Sequence, residues 1–597
     1  MDLLEKLEQA IDVEYDSKNQ EIEDLQKIPL EDRITKGDTI TNLKVHFKEL
    51  SGFLANINSS NIIFFEATIK CKENYSKFRE GSPVLLWKGN FAFELDIVED
   101  DGNILELASG YNSCIVDSDQ QDSDGWQLDQ AKVDIRHIVK KSVYLLSQSS
   151  SKYEYISGIF NGKIKPVFRE DRLYKAENII SKTNLNKRQK EAFIKSYATD
   201  NYYLIQGPPG SGKTWLLAHL AVEFAKEGKR VLITANTHTA INNALQKCSV
   251  LSHYQHIIKV GKGFQKENLN YGGSTALNIP DLRRSIYENY SGGIIVGATC
   301  YSPYTRKMDF LEWDLVIIDE AGQLSIPLAI AAMVKGRKYI FIGDHKQLPP
   351  ILSENHLDPI FKKSIFEHLF NFFPGIMLDL TYRMNKEINR FPSKQFYNGE
   401  LLPHTDNSDW RLEIDNHFNI HQEILDISNP EVLFCHFHSS PNSRSEYEAQ
   451  IISELIDEYL KKGIKPEEIA VITPFRQQVK QVANELSKRN GYNEIKEKLF
   501  VDTIERIQGQ ERDIVIFSLA TSNPEKAKER ADFFFSPNRL NVALTRAKKK
   551  RIVIANKTLF SLESPDERIN ELIKNFRDFY KDSYKVEEKL DVDLDYL

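Results

Sequence analysis

The strongest constraint in this sequence is a series of short runs that are apolar at almost every position. Tyr202-Tyr203-Leu204-Ile205, Arg230-Val231-Leu232-Ile233-Thr234, Ile294-Ile295-Val296-Gly297-Ala298, Leu315-Val316-Ile317-Ile318 and Tyr339-Ile340-Phe341-Ile342 form one group. Val432 to Phe437, Ile469-Ala470-Val471-Ile472, Ile514-Val515-Ile516-Phe517 and Ile552-Val553-Ile554-Ala555 form a second. A strand with one wet face alternates polar and apolar residues. An unbroken apolar run is the pattern of a strand covered on both faces, as in a parallel sheet between helices. Two such groups predict two doubly wound α/β domains, assigned to residues 186–368 and 369–597. Polar residues from 245 to 292 interrupt the first group and read as an insertion.

The N-terminal third is patterned differently. Leu3, Leu4, Leu7 and Ile11 recur at helical spacing among charges, so residues 1–37 are expected to form a helix. From 38 to 128, short β-rich runs such as Ile62 to Ile69 and Ser82 to Trp87 alternate with turn residues, which predicts a small barrel. Residues 129–185 return to helical patterning. The chain of 597 residues, 41% hydrophobic and 27% charged, excludes collagen-like and wholly disordered classes. Met1-Asp2-Leu3-Leu4-Glu5-Lys6 lacks the basic-then-apolar order of a secretion signal, and no apolar run approaches the ~20 residues of a membrane span. A soluble, cytoplasmic protein with no membrane association is expected. Its five cysteines contain no CxxC knuckle, and Cys435-His436-Phe437-His438 reads as a buried strand rather than a zinc site. The net charge of −8 does not exclude a nucleic-acid ligand, which needs only a local basic track.

Gly207-Pro208-Pro209-Gly210-Ser211-Gly212-Lys213-Thr214 is an uninterrupted GxxxxGK[ST] that follows an apolar strand and opens an amphipathic helix. The glycines let backbone N–H groups turn inward around phosphate oxygens, and the helix N-terminus adds positive potential. Lys213 is placed to neutralise the β/γ-phosphates and Thr214 to bind Mg2+. Asp319-Glu320 closes the run Leu315 to Ile318. A carboxylate there stands beside the phosphate loop, so Asp319 is expected to hold the metal and Glu320 to polarise the attacking water. Arg383 and Arg546 lie beyond the first domain and can serve as arginine fingers if the second domain closes over the nucleotide.

The ordered motifs resemble those of the superfamily 1B helicases, in the Upf1-like branch that includes the nonsense-mediated-decay and immunoglobulin-mu-binding-protein helicases. Leu185-Asn186-Lys187-Arg188-Gln189 is similar to the adenine-reading Q motif. Thr234-Ala235-Asn236-Thr237-His238 resembles motif Ia, Asp319-Glu320-Ala321-Gly322-Gln323 motif II, and Gly343-Asp344-His345-Lys346-Gln347 motif III. Thr381-Tyr382-Arg383-Met384, Ile472-Thr473-Pro474-Phe475-Arg476, Val501-Asp502-Thr503 with Gln508-Gly509-Gln510-Glu511, and Arg539 to Ala547 follow in the family's order.

The resemblance implies two RecA-like P-loop NTPase domains, with a small β-barrel accessory domain on a helical stalk before them. It implies ATP and Mg2+ as cofactors, with hydrolysis at the interface of the two domains. Gln189 and Tyr382 are then expected at the base, Gly509 and Glu511 at the ribose, and Gln347 at the γ-phosphate. Thr234, Asn236, Thr237, His238, Thr299, Thr473, Pro474 and Thr503 are expected along the nucleic acid. The implied activity is 5′→3′ helicase or translocase action on single-stranded DNA or RNA by a monomeric motor. The alternatives are a nucleic-acid-stimulated ATPase that remodels protein–nucleic-acid complexes without unwinding, and a scaffold with a vestigial motor. No nuclease block or zinc-rich module accompanies the motifs, and the basic run Lys548-Lys549-Lys550-Arg551 reads as a solvated turn.

Overall fold

A computed structural model describes residues 2–48, 64–69, 76–78, 82–89, 91–100, 104–109, 122–132, 134–251, 256–261, 269, 276–279, 281–282, 292–353, 355–356, 358–440, 443–489 and 491–588. The chain divides into two compact units, residues 12–136 and residues 1–11 together with 137–597. Among the described residues, no helix is long and apolar enough to cross a membrane.

The smaller unit contains the expected barrel. Its strands are β1 (Thr39–Lys48), β2 (Phe64–Thr68), β3 (Pro83–Lys88), β4 (Phe91–Asp100), β5 (Ile104–Ser109) and β6 (Asp122–Gln130), closed in the order β1-β2-β5-β4-β3-β6. Alternate residues such as Val84, Leu86, Leu105, Leu107, Trp126 and Leu128 fill the interior. Closure leaves no free sheet edge. Among the described residues of this unit one carboxylate is buried: Asp129 accepts from Trp87 Nε1 at 2.7 Å, Gln127 Nε2 at 2.8 Å and Arg33 Nη1 at 3.0 Å. The predicted run Ile62-Ile63 lies outside the described residues.

In the larger unit the first group of apolar runs forms a parallel sheet. Its strands are β7 (Tyr202–Gln206), β8 (Arg230–Thr234), β9 (Ile257–Val260), β10 (Leu277–Ile279), β11 (Ile294–Gly297), β12 (Trp313–Ile318), β13 (Gly336–Gly343) and β14 (Ile376–Met377). They lie in the order β10-β9-β11-β8-β12-β13-β7-β14. Helices Lys213–Lys226 and His238–Leu251 pack on one face, and Ile326–Val334 lies against β12 and β13. The segment 245–292 departs from the expected insertion. Its β9 and β10 extend the sheet in parallel register, with Ile295 opposite Ile257 and Ile258 opposite Leu277. Lys259 within β9 broke the apolar run and disguised the strand. The chain past residue 369 also first adds β14 to this sheet, pairing Met377 with Gln206.

After a short parallel pair, β15 (Leu380–Thr381) with β16 (Leu402–Pro403), the second group forms the other sheet. β17 (Glu431–His436), β18 (Ile469–Thr473), β19 (Phe500–Thr503), β20 (Arg512–Ser518), β21 (Ala547–Asn556) and β22 (Lys585–Glu587) lie in the order β19-β18-β20-β21-β17-β22. Val515, Phe517, Val553 and Ala555 face a core that includes Ile388, Val542 and Phe576. Their neighbours Ile514, Ile516, Ile552 and Ile554 face another that includes Ile452, Leu455 and Val482. Each strand is thus apolar at both parities because each parity meets helices. Burial of each such side chain favours the fold by about 1.5–3 kcal/mol before ordering costs.

The basic run Lys548-Lys549-Lys550-Arg551 is not a solvated turn. It lies inside β21, where Lys550 and Arg551 are wholly buried. Lys550 Nζ donates to the carbonyls of Asp426 and Asn429 at 2.8 and 2.7 Å. Arg551 donates to the Ile388 carbonyl at 3.1 Å and pairs with Glu431, itself buried, at 2.8 Å. Removing one member strands the other charge, so Glu431→Ala should lower unfolding stability by about 3–5 kcal/mol in chemical denaturation. The pair Glu431→Leu with Arg551→Met should cost clearly less; equal losses would show that the charges are not coupled.

Candidate nucleotide site

The site grows from the C-terminal end of β7. The chain leaves the strand with the Gly207 N–H on the Gly343 carbonyl at 2.9 Å, loops through Ser211, and enters helix Lys213–Lys226. Gly210 and Gly212 take φ of +72° and +76°, and neither has room for a Cβ. At Gly212 it would lie 2.6 Å from Gln189 Nε2, and at Gly210 it would lie 2.5 Å from Arg383 Cβ. The buried Ser211 hydroxyl has no hydrogen-bond partner among the described residues, although it sits in a loop lined by backbone donors. An unpaired buried hydroxyl beside a helix N-terminus fits a phosphate oxygen. Pro208 and Pro209 are buried in the same loop, and Thr214 stands half-buried in the first helical turn.

The acidic side of the site comes from β12. Asp319 N–H donates to the Thr234 carbonyl at 2.8 Å, which sets the strand end beside β8. Glu320 then turns into the left-handed region at φ +49°, unusual for a residue with a side chain, and its carboxylate meets Lys213 Nζ at 2.8 Å. Burial works against the Lys213 ammonium, but Glu320 and Asp319 outweigh it and hold its pKa above the ordinary value. Burial, reinforced by Glu320, pushes the Asp319 carboxyl up to about 7. A buried carboxyl next to a second one, with a threonine hydroxyl in the facing helix turn, is a donor set suited to a hard divalent cation.

The second lobe supplies the opposing charges. Arg383 Nε donates to Glu511 at 2.7 Å and its Nη1 to the Thr545 carbonyl at 3.0 Å. Burial works against the Glu511 carboxylate, but Arg383 and Lys548, the latter 3.1 Å away, overcome it and hold the acid at about 2. Arg546 is wholly buried. Its Nε donates to the Val542 carbonyl at 2.9 Å, and its Nη2 lies 3.4 Å from Gln347 Oε1. Burial, then the nearby Arg383 charge, lowers the Arg546 guanidinium to about 9. Lys213, Asp319, Glu320, Gln347, Arg383 and Arg546 therefore converge on one seam. Gly509, at φ +79°, makes the turn that brings Glu511 to it.

At the base end, Gln189 both caps its own helix and reads the loop. Its Oε1 accepts from the Asn186 N–H at 3.0 Å and its Nε2 donates to the Ser211 carbonyl at 2.9 Å. Tyr382 bridges this corner, with its N–H on the Gly210 carbonyl at 2.8 Å and its hydroxyl accepting from Asn186 at 2.8 Å. Its ring, 37% exposed, packs on His404 with centroids 4.7 Å apart.

The residues expected along nucleic acid fall at the C-terminal ends of their strands but differ in access. Asn236 and Thr237 are exposed after β8, His238 opens the next helix, and Thr299 follows β11 half-buried with its hydroxyl on Ser302. Thr234 and Thr473 are wholly buried, and Pro474 is buried too. The Thr234 hydroxyl packs on Cys300 Sγ at 3.3 Å, so it presents nothing to a phosphate. Thr503, buried at the end of β19, keeps a hydroxyl with no partner among the described residues.

Three residues of the seam escaped the sequence reading: Asp344, Tyr397 and Asn541. Asp344 and Asn541 lie within recognised motifs, but nothing there distinguishes their side chains from loop and helix polarity. Tyr397 lies in no motif, and its only signal is an aromatic residue just before the turn Asn398-Gly399.

Residues 184–365 and 361–558 match two family models, each described as an AAA domain. The chain is 30% identical over 410 residues to the DNA replication ATP-dependent helicase/nuclease DNA2 of Xenopus laevis, covering 62% of this chain and 37% of that protein. It is 27% identical over 486 residues to an uncharacterized ATP-dependent helicase of Methanocaldococcus jannaschii, covering 66% and 70%. Regulator of nonsense transcripts 1 of Dictyostelium discoideum is 26% identical over 528 residues, covering 80% and 38%. The chain thus spans less than two fifths of the first of these relatives. Over residues 184–558 the chain is thus similar to AAA-domain proteins and to relatives that include ATP-dependent helicases, in agreement with the resemblance of its ordered motifs to the Upf1-like branch of superfamily 1B.

Proposed function

We propose that the chain hydrolyses ATP at the seam between its two α/β lobes and uses the cycle to move 5′→3′ along single-stranded DNA or RNA as a helicase. The observation that carries this reading is the placement of Arg383 and Arg546, both from the second lobe, against the phosphate loop and Gln347 of the first. An arrangement that needs both lobes makes turnover depend on their approach, which is how a nucleotide cycle is coupled to movement. The relatives named as ATP-dependent helicases support the same reading, and the polarity rests on the family resemblance.

In this reading the loop N–H groups and the Ser211 hydroxyl receive the phosphates, and Lys213 exchanges Glu320 for them. Thr214 and Asp319 would hold Mg2+, which when bound supplies neutralising charge at the β/γ-phosphates. Glu320, freed from Lys213, takes the proton of the attacking water. Arg383, freed from Glu511, and Arg546, already beside Gln347, stabilise the charge that develops on the transferred group. Gln189 and Tyr382 hold the base, and Glu511 with the Gly509 turn serves the ribose. Asn236, Thr237, His238, Thr299 and Thr503 line a sequence-independent strand path, where backbone and hydroxyl groups hold successive phosphates. A monomer contains every part of this site.

The test is steady-state ATP turnover with and without matched single-stranded DNA and RNA oligonucleotides, alongside unwinding of a 5′-tailed duplex. Turnover stimulated by single strands is expected; no turnover under any condition would overturn the reading. Lys213→Ala should abolish turnover and leave oligonucleotide binding by fluorescence anisotropy largely intact, and a variant with full ATPase activity would refute the assigned role. Arg546→Ala should lower kcat by about 10³-fold or more, the range for arginine fingers, while nucleotide affinity falls far less. Equal losses in both would instead make Arg546 a binding residue.

A further inference from the structure

Asp344 is the junction of the seam. It is buried, and its carboxylate is filled by four neutral donors. Oδ1 accepts from Gln206 Nε2 at 3.2 Å and from the Lys346 N–H at 3.1 Å. Oδ2 accepts from Gln347 Nε2 at 2.9 Å and from the Tyr397 hydroxyl at 2.7 Å. Gln206 directly precedes the phosphate loop, so three of the donors belong to the first lobe and only Tyr397 to the second. The Tyr397 hydroxyl in turn accepts from Asn541 Nδ2 at 2.8 Å, and the other N–H of that amide donates to the Lys346 carbonyl at 2.8 Å. Asn541 lies on helix Pro537–Leu544, which leads directly into Arg546.

We infer that Tyr397 is a positioning residue for hydrolysis, reporting the approach of the second lobe to Gln347 through Asp344. The inference rests on the proposed ATPase reading and adds to it a residue that no motif contains. The geometry supports it in three ways. Gln347 has one amide end held by Asp344 Oδ2, so its other end, Oε1, is aimed at Arg546. That Oδ2 is shared with Tyr397, so lobe separation removes one of the three bonds that, beside Gln347's own, fix the carboxylate. Moreover, Tyr397 is wholly enclosed, so no solvent donor replaces its hydroxyl while the lobes are together. The Tyr397 hydroxyl bonds to Asp344 and Asn541, so its action on Gln347 passes through Asp344.

The experiment is nucleic-acid-stimulated ATPase kinetics on the full chain for wild type, Tyr397→Phe, Gln347→Ala and the double variant, each with its melting temperature. Phenylalanine keeps the ring and removes only the hydroxyl. Tyr397→Phe should lower stimulated kcat by about tenfold with KM for ATP changed less than about twofold. The double variant should be no slower than Gln347→Ala alone, because both remove the same aim. Asn541→Ala, which removes the donor behind the hydroxyl, should repeat the kcat-selective loss and serves if Tyr397→Phe folds poorly. Unaltered kcat in these variants, or losses that multiply with Gln347→Ala, would overturn the inference while leaving wild-type turnover to support the parent reading. A wild type inert with ATP and both nucleic acids would remove the parent reading and this inference with it.

Discussion

Both sheets of the larger unit are covered by helices on their two faces, so apart from paired or capped exceptions such as Lys550 and Arg551 their polar side chains gather at the strand ends. The candidate site follows from that restriction. The phosphate loop leaves the end of β7, Asp319 stands at the end of β12, and Asp344 at the end of β13, so parallel pairing sets them side by side without long-range coincidence. Asn236, Thr299 and Thr503 occupy equivalent ends of other strands. Parallel direction thus gathers phosphate-handling groups on one rim, as it does wherever open α/β sheets bind ligands.

The second consequence is electrostatic. Lys213, Arg383 and Arg546 face Asp319, Glu320 and Glu511 in a region mostly removed from water. Charges so placed are tolerable only in pairs, and the pairs Lys213–Glu320 and Arg383–Glu511 supply that balance. Each cation thereby keeps a carboxylate that a phosphate can replace. Among the described residues Arg546 bonds to no carboxylate: its bonds go to a carbonyl, a hydroxyl and Gln347, while burial and the nearby Arg383 charge lower its pKa. It is the cation most in need of a new anion, consistent with the large kcat role proposed for it.

Legibility varied with the range of the interaction. The phosphate loop, Asp319-Glu320 and the strand groups announce themselves because their signals are local: glycine spacing, carboxylates at a strand end, apolar runs of strand length. The run Lys548 to Arg551 misled because charge implies solvent until a partner is known. Its partners, Glu431 and the carbonyls of Ile388, Asp426 and Asn429, are distant in sequence. β9 was hidden by the buried Lys259, and Tyr397 by the absence of any motif around it. Thr234 and Thr473 were identified by position, but their hydroxyls face inward, and side-chain direction at a strand end depends on the neighbouring strand.

The sequence alone determined the two parallel sheets, the barrel before them and the loop that cups phosphate, because backbone propensity and apolar period are properties of contiguous residues. Only the tertiary structure decided that Arg383 and Arg546 approach that loop, that Asp344 is shared between lobes, and which hydroxyls remain accessible. Those outcomes depend on which distant groups meet in a water-poor seam, where the strength of each charge and hydrogen bond is set by its surroundings rather than by its place in the chain.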